Sequence, residues 1–166
     1  MLSKWLKPKT NRQKITLLAP LSGQSVPLSE VPDAAFSQGH IGKGLAILPS
    51  SGRLISPLSG TVVHVIDTAH AVILEHASGV QILIHIGINT VSLRGRGFSA
   101  RVKTGDRVVA GQVLIEFDLG LLRSEGYSAV TPVVIVNEHL LAADPECHYG
   151  AVNVGEMGLL AFETER

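Results

Sequence analysis

The sequence predicts an all-β fold, an antiparallel sandwich or barrel interrupted only by short helical turns. Three observations point there. Apolar residues make up 45% of the 166, and they fall in runs of four to eight rather than in long stretches of 3.6 period. Seventeen glycines and eight prolines cut those runs, with Ser-Gly pairs at 22–23, 51–52, 59–60 and 78–79 marking corners. Finally, APLSG at 19–23 returns as SPLSG at 56–60, a sign of internal duplication.

In chain order, residues 1–14 (MLSKWLKPKTNRQK) differ from everything after them. Leu2, Trp5 and Leu6 share one face of a helical turn that Pro8 would stop, and five of the fourteen basic residues lie here. This segment reads as a basic amphipathic leader, either frayed or resting on an anionic membrane surface. Residues 15–166 read as one domain. Within it ITLLAPLSG, LAILPS, LISPLSG, TVVHVID, AVILEH, VQILIHIG, VLIEFD and TPVVIVN are expected strands, and LGLLRSEG at 119–126 is the only expected helical turn. VKTGDRVVAGQVLIEFD, residues 102–118, resembles half of a lipoyl- or biotinyl-carrier domain. It lacks the Met-Lys-Met or Asp-Lys-Ala triplet that would carry the group, so it reads as a Gly-rich strand pair.

Composition excludes several classes of function. Net charge is zero, and outside the leader the chain carries nine basic against fourteen acidic side chains, which argues against nucleic-acid binding. A single cysteine, Cys147, allows no internal disulfide. With no signal peptide and no apolar run near the ~20 residues that span a bilayer, a cytoplasmic protein is expected.

Chemistry concentrates in two histidines. His70 opens the run AVILEH, and His85 ends ILIH just before Ile86-Gly87. The stretch between them folds as a hairpin turning at Ala77-Ser78-Gly79. Paired numbers summing to 155 or 157 put both rings on one face within ~8 Å, whereas a sum of 156 separates them. Facing imidazoles could bind a metal, act as acid and base, or make one ring a nucleophile while the other orients the donor. Each could equally be a half-buried histidine with one satisfied hydrogen bond. The other five histidines, His40, His64, His76, His139 and His148, show no comparable pairing. A zinc hydrolase would need a second ligand after His85, where the chain reads Ile86-Gly87.

APLSGQSVPLSEVPDAAF, SPLSGTVVHVIDTAHAVILEHASGVQILIHIGINTV, LRGRGF, VKTGDRVVAGQVLIEFDL and TPVVIVN, with VNVGE near 152–156, resemble in order the glucose-type enzyme IIA of the bacterial phosphoenolpyruvate:sugar phosphotransferase system. TAHA and HIGINTV are the diagnostic stretches. The resemblance implies a β-sandwich with internal pseudo-symmetry. It also implies a phosphohistidine relay, in which HPr phosphorylates His85, His70 and Thr68 support the site, and the phosphoryl group leaves for a cysteine on the IIB domain of a sugar permease.

No cofactor is required for such a relay. The resemblance further implies a regulatory mode toward permeases or kinases, in which His70 and His85 share zinc with a partner's carboxylate. Free-standing relatives carry a leader like MLSKWLK, so peripheral contact with the inner face of the membrane is expected. Asp33, Phe36, Ile41, Ile66, Val72, Leu83, Ile86 and Asn89 are the expected docking residues. The chain departs from the family at Asn89, usually aspartate, at His40, often apolar, and at Lys43, often acidic.

Overall fold

The computed structural model describes residues 12–165. In chain order its strands are β1 (Arg12–Leu18), β2 (Gly23–Pro27), β3 (Lys43–Pro49), β4 (Arg53–Ile55), β5 (Gly60–Val65), β6 (Ala71–Glu75) and β7 (Gln81–His85). There follow β8 (Phe98–Ala100), β9 (Arg107–Val108), β10 (Val113–Phe117), β11 (Thr131–Ile135), β12 (Glu146–Cys147), β13 (Gly150–Val152) and β14 (Met157–Glu165). The α-helices are α1 (Ala34–Ser37) and α2 (Leu119–Ser124). Every named strand pairing is antiparallel, and the architecture is the expected β-sandwich with short helical turns.

The main sheet has eight strands in the order β13-β2-β3-β11-β7-β6-β5-β9. Two three-stranded sheets, β1-β14-β12 and β4-β10-β8, complete the sandwich. The strand order of the main sheet reads as a palindrome of equivalent pieces. At one edge Val152 pairs with Gly23, and at the other Val108 pairs with Gly60. Carried inward rung by rung, this equivalence makes Val133 the counterpart of Ile84, and these two residues pair with each other at the centre of the sheet. Leu45, Val133, Ile84 and Val72 thus form one buried row across the pseudo-twofold seam.

The duplicated PLSG segments explain both edges. Ser22 Oγ accepts the Val154 N–H and Ser59 Oγ accepts the Ala110 N–H. The Gly155 N–H reaches Ala19 O as the Gly111 N–H reaches Ser56 O. Each serine therefore clasps a tight turn whose glycine is left-handed, φ +87° at Gly155 and +92° at Gly111. The clasp also separates the strand pair expected at 102–118. With its turn held by Ser56 and Ser59, β9 joins β5 while β10 joins β4 and β8.

The core lies between the sheets, and a second apolar cluster sits on the outer face of the main sheet. There Phe36 of α1 packs with Val26, Val31, Ala46, Val134 and partly buried Leu83. Asp33 caps α1 by accepting from Ala35 N and Phe36 N, a helix start the apolar pattern alone did not announce. Asp118 caps α2 the same way, accepting from Leu121 N, which fits the helical turn expected there. β1 takes up Arg12, Gln13 and Lys14, so the expected boundary at 14 falls inside a strand. The rest of the leader lies outside the described residues. No helix among the described residues is long and apolar enough to cross a membrane.

Candidate functional site

The site is built at the open end of the β6–β7 hairpin. Ala71 pairs with His85 and Val72 with Ile84, the even register, which by strand alternation alone would part the two histidines. They meet nevertheless, with ring centroids 5.1 Å apart and nearly perpendicular planes. The reason is local. His70 precedes β6, and Ala69 before it adopts a left-handed backbone, φ +57°, so the His70 side chain leaves the alternation of the strand. The His70 carbonyl then accepts the Ile86 N–H at 2.7 Å, tying the two ends of the hairpin together.

Each ring has one nitrogen engaged. His85 Nδ1 lies 2.7 Å from Gly87 O, and since a carbonyl can only accept, Nδ1 carries the hydrogen and Nε2 the lone pair. His70 Nδ1 lies 2.6 Å from Thr68 Oγ1. A hydroxyl can donate or accept, so Thr68 can support either tautomer of His70. Phe36 packs its ring 5.5 Å from His85, and Phe98 lies 6.4 Å from His70. Burial holds both imidazoles below the ordinary histidine pKa. For His70 the neighbouring His85 pushes the same way, whereas for His85 the Gly87 hydrogen bond and the Asp33 charge pull partly back.

A shallow apolar depression of about 240 Å³ opens over the pair, lined by His64, Ile66, His70, Leu83 and His85 among others. The expected docking residues separate here. Ile41, Ile66 and Leu83 are half-buried and Asn89 is exposed, as a docking rim requires. Val72 and Ile86, at 1% and 0% exposure, are core rather than rim: Val72 belongs to the central buried row and lines the depression from below, and the Ile86 N–H ties the hairpin ends. Phe36, the buried residue of α1, sets its ring against His85 at a tilt of 57°. Lys43 is paired with Asp144 at 2.5 Å. His64, unpaired in the sequence reading, stands on the rim because the register shifts between Val62 and His64; strict alternation from buried Val62 would have turned it inward, so the sequence carried no signal for it.

Among the described residues neither Nε2 has a hydrogen-bond partner, which leaves both for chemistry or for a metal. They supply two imidazole ligands, and no group of three histidine, cysteine, aspartate or glutamate side chains among the described residues could hold an ion. A zinc ion here would need its remaining ligands from outside the chain.

Comparison with known proteins decides what such a pair belongs to. The family described as the phosphoenolpyruvate-dependent sugar phosphotransferase system, EIIA 1, matches residues 15–140. The chain belongs to this EIIA family. The glucose-specific EIIA component of Oceanobacillus iheyensis is 40% identical over 148 residues, 89% of this chain and 90% of that protein. The glucose-specific EIICBA component of Staphylococcus saprophyticus is 45% identical over 124 residues, 75% of this chain but 18% of that longer protein. Among solved structures, the glucose permease IIA from Mycoplasma capricolum superposes with a TM-score of 0.82 at 33% identity, covering 90% of this chain and 96% of that one. As an EIIA protein the chain is a phosphocarrier component of the sugar phosphotransferase system.

Proposed function

We propose that this EIIA protein accepts a phosphoryl group from HPr on Nε2 of His85 and passes it to a cysteine of the IIB domain of a sugar permease. The observation that supports the proposal is the His85–Gly87 contact, which keeps the hydrogen on Nδ1 and leaves the Nε2 lone pair for attack, while burial favours the neutral ring. In acceptance, the Nε2 lone pair forms a P–N bond as the P–N bond of the donor's phosphohistidine breaks, its electron pair returning to the donor ring. The hydrogen stays on His85 Nδ1, donated to Gly87 O, throughout. In donation, the IIB thiolate forms a P–S bond and the His85 P–N pair returns to the ring.

Such transfers depend on positioning and on charge stabilisation of the phosphoryl oxygens. With the Thr68 hydroxyl donating to Nδ1, His70 presents an Nε2–H beside the incoming group. Half-buried Ile41, Ile66 and Leu83 supply an apolar rim for reversible docking, with Asp33 and Asn89 alongside. Relatives with fused chains bear glucose-, glucosamine- and β-glucoside-specific names, so the proposal concerns the relay and not the sugar.

The test is intact-mass analysis after incubation with phosphoenolpyruvate, enzyme I and HPr. One acid-labile phosphoryl group per chain is expected, absent from His85→Ala. His70→Gln is expected to accept the group and donate it slowly. Labelling of His85→Ala, or donation by His70→Gln at the wild-type rate, would refute the corresponding role.

A second, regulatory reading is favoured by the two free Nε2 atoms. In it, unphosphorylated His70 and His85 hold zinc together with a partner's carboxylate, with Thr68 now accepting from His70 Nδ1–H. The metal would supply a cross-link between this chain and a regulated permease or kinase. Phosphorylation of His85 removes one ligand and would release the partner.

A further inference from the structure

We propose that Thr90 is a positioning residue of the relay, its hydroxyl holding the Ile86 peptide and, through that peptide, both histidines; this deepens the role assigned above to His85 and rests on it. Thr90 is fully buried, and its Oγ1 donates to Ile86 O at 2.5 Å. On the other side of the same residue, the Ile86 N–H donates to His70 O at 2.7 Å. Ile86 is therefore clamped at both polar atoms, once by the backbone of His70 and once by Thr90. It also stands directly between His85 and Gly87, whose carbonyl fixes the His85 tautomer.

The geometry is specific to this turn. Gly87 is left-handed at φ +72°, and Asn89, also left-handed at φ +60°, reverses the chain so that Thr90 folds back over it. The Thr90 methyl then occupies the space beside Gly87: a Cβ added there would meet Thr90 Cγ2 at 2.5 Å and Ser128 O at 2.9 Å. The Ile88 N–H is held in turn by Ser128 O at 3.0 Å. A serine or threonine that bonds four residues back inside a helix merely competes with the helix's own donor. Here Ile86 lies outside any helix or strand, and no backbone donor among the described residues takes its carbonyl. Without the hydroxyl, that carbonyl would be buried unpaired and free to rotate, carrying the Gly87 acceptor away from His85 Nδ1.

Two variants separate the hydroxyl from the methyl. Thr90→Val keeps the shape and removes the donor, whereas Thr90→Ser keeps the donor and removes the methyl. Nitrogen-15 NMR of the unphosphorylated protein reads the His85 tautomer, and steady-state relay from HPr, recharged by phosphoenolpyruvate and enzyme I, to a IIB domain reads kcat and the KM for HPr. For Thr90→Val the expected result is a mixed tautomer and a kcat lowered about ten- to hundredfold, with KM nearly unchanged because the docking rim is untouched. Thr90→Ser is expected to restore the single tautomer and most of the rate.

A wild-type tautomer and rate in Thr90→Val would overturn the proposal. So would a Thr90→Ser protein as impaired as Thr90→Val, since packing alone would then account for the residue. Should Thr90→Val fail to fold, Thr90→Ser still decides, because a mixed tautomer in that variant contradicts a role for the hydroxyl. The tautomer measurement needs no phosphoryl donor, so it reads Thr90 even if His85 proved not to be the acceptor.

Discussion

His85 has one hydrogen and one lone pair to distribute, and its neighbours decide which nitrogen holds which. Burial lowers its pKa, with partial opposition from Gly87 O and the Asp33 carboxylate. The neutral, nucleophilic ring should therefore persist as pH falls past the ordinary histidine value of about 6.5. Phosphoryl acceptance is expected to stay flat from pH 8 down through 6.5 and to fall only below it; a decline centred at or above 6.5 would contradict the assignment. Stability follows the same sign. The unfolded chain protonates first, so the contribution of His85 is complete above pH 6.5 and is lost as pH drops from there toward its folded-state pKa. His70, lowered first by burial and then by His85, adds to the effect in the same direction. At this scale the sequence disclosed the two rings. It could not disclose that Ala69 would turn left-handed, and so it made their meeting depend on strand register, which in the event runs the other way.

Elements were legible wherever apolar runs ended in Ser-Gly or Gly corners, which is why β3, β5, β6, β7, β10 and β11 lie within a few residues of their expected places. β14 escaped because MGLLAFETE has no internal turn signal, and its four consecutive buried residues, Leu159–Phe162, fit a strand or a helix equally. β12 and β13 are two and three residues long and carry no periodicity at all. α1 spans a single turn, announced only by the Asp33 cap. The PLSG repeat, by contrast, foretold a specific device. Ser22 and Ser59 perform the same clasp at opposite edges of the main sheet, so Ser22→Ala and Ser59→Ala are each expected to cost about 0.5–1.5 kcal/mol in chemical denaturation. The double variant should cost close to the sum, because the edges share no partners. A markedly larger penalty at one edge would mean that the two clasps, alike in geometry, are not alike in function.

Across the whole molecule, the duplicated halves meet along the Val133–Ile84 pair, yet only one half carries chemistry. By the same equivalence, the position matching His85 is Val134, buried in the cluster beneath α1. One half of the sheet thus presents His85, the proposed nucleophile, while the other packs the short helix that borders it. Deleting residues 1–11 is expected to abolish binding to anionic vesicles and leave phosphoryl acceptance unchanged, the lysines there contributing ~1 kcal/mol each at such a surface. Cutting on through Lys14 would remove three rungs of β1 against β14, and a lower melting temperature is expected from that cut alone. Equal vesicle binding before and after the shorter deletion would return the segment to a simple frayed end.

The pairing of β1 with β14 sets Arg12 directly across from Glu165, so the two extremities of the described fold stand one strand spacing apart, about 5 Å. The order in which the chain is threaded is then separable from the structure it reaches. A few residues of glycine and serine would close the circle, and new termini could open beside Gly126, which is exposed, with no neighbouring atom within 4 Å of its would-be side chain. Such a circular permutant should fold and match the linear protein in phosphoryl acceptance, because no rung of any sheet is cut. Failure to fold would show that the junction of the two ends, rather than the sheet they border, nucleates the molecule.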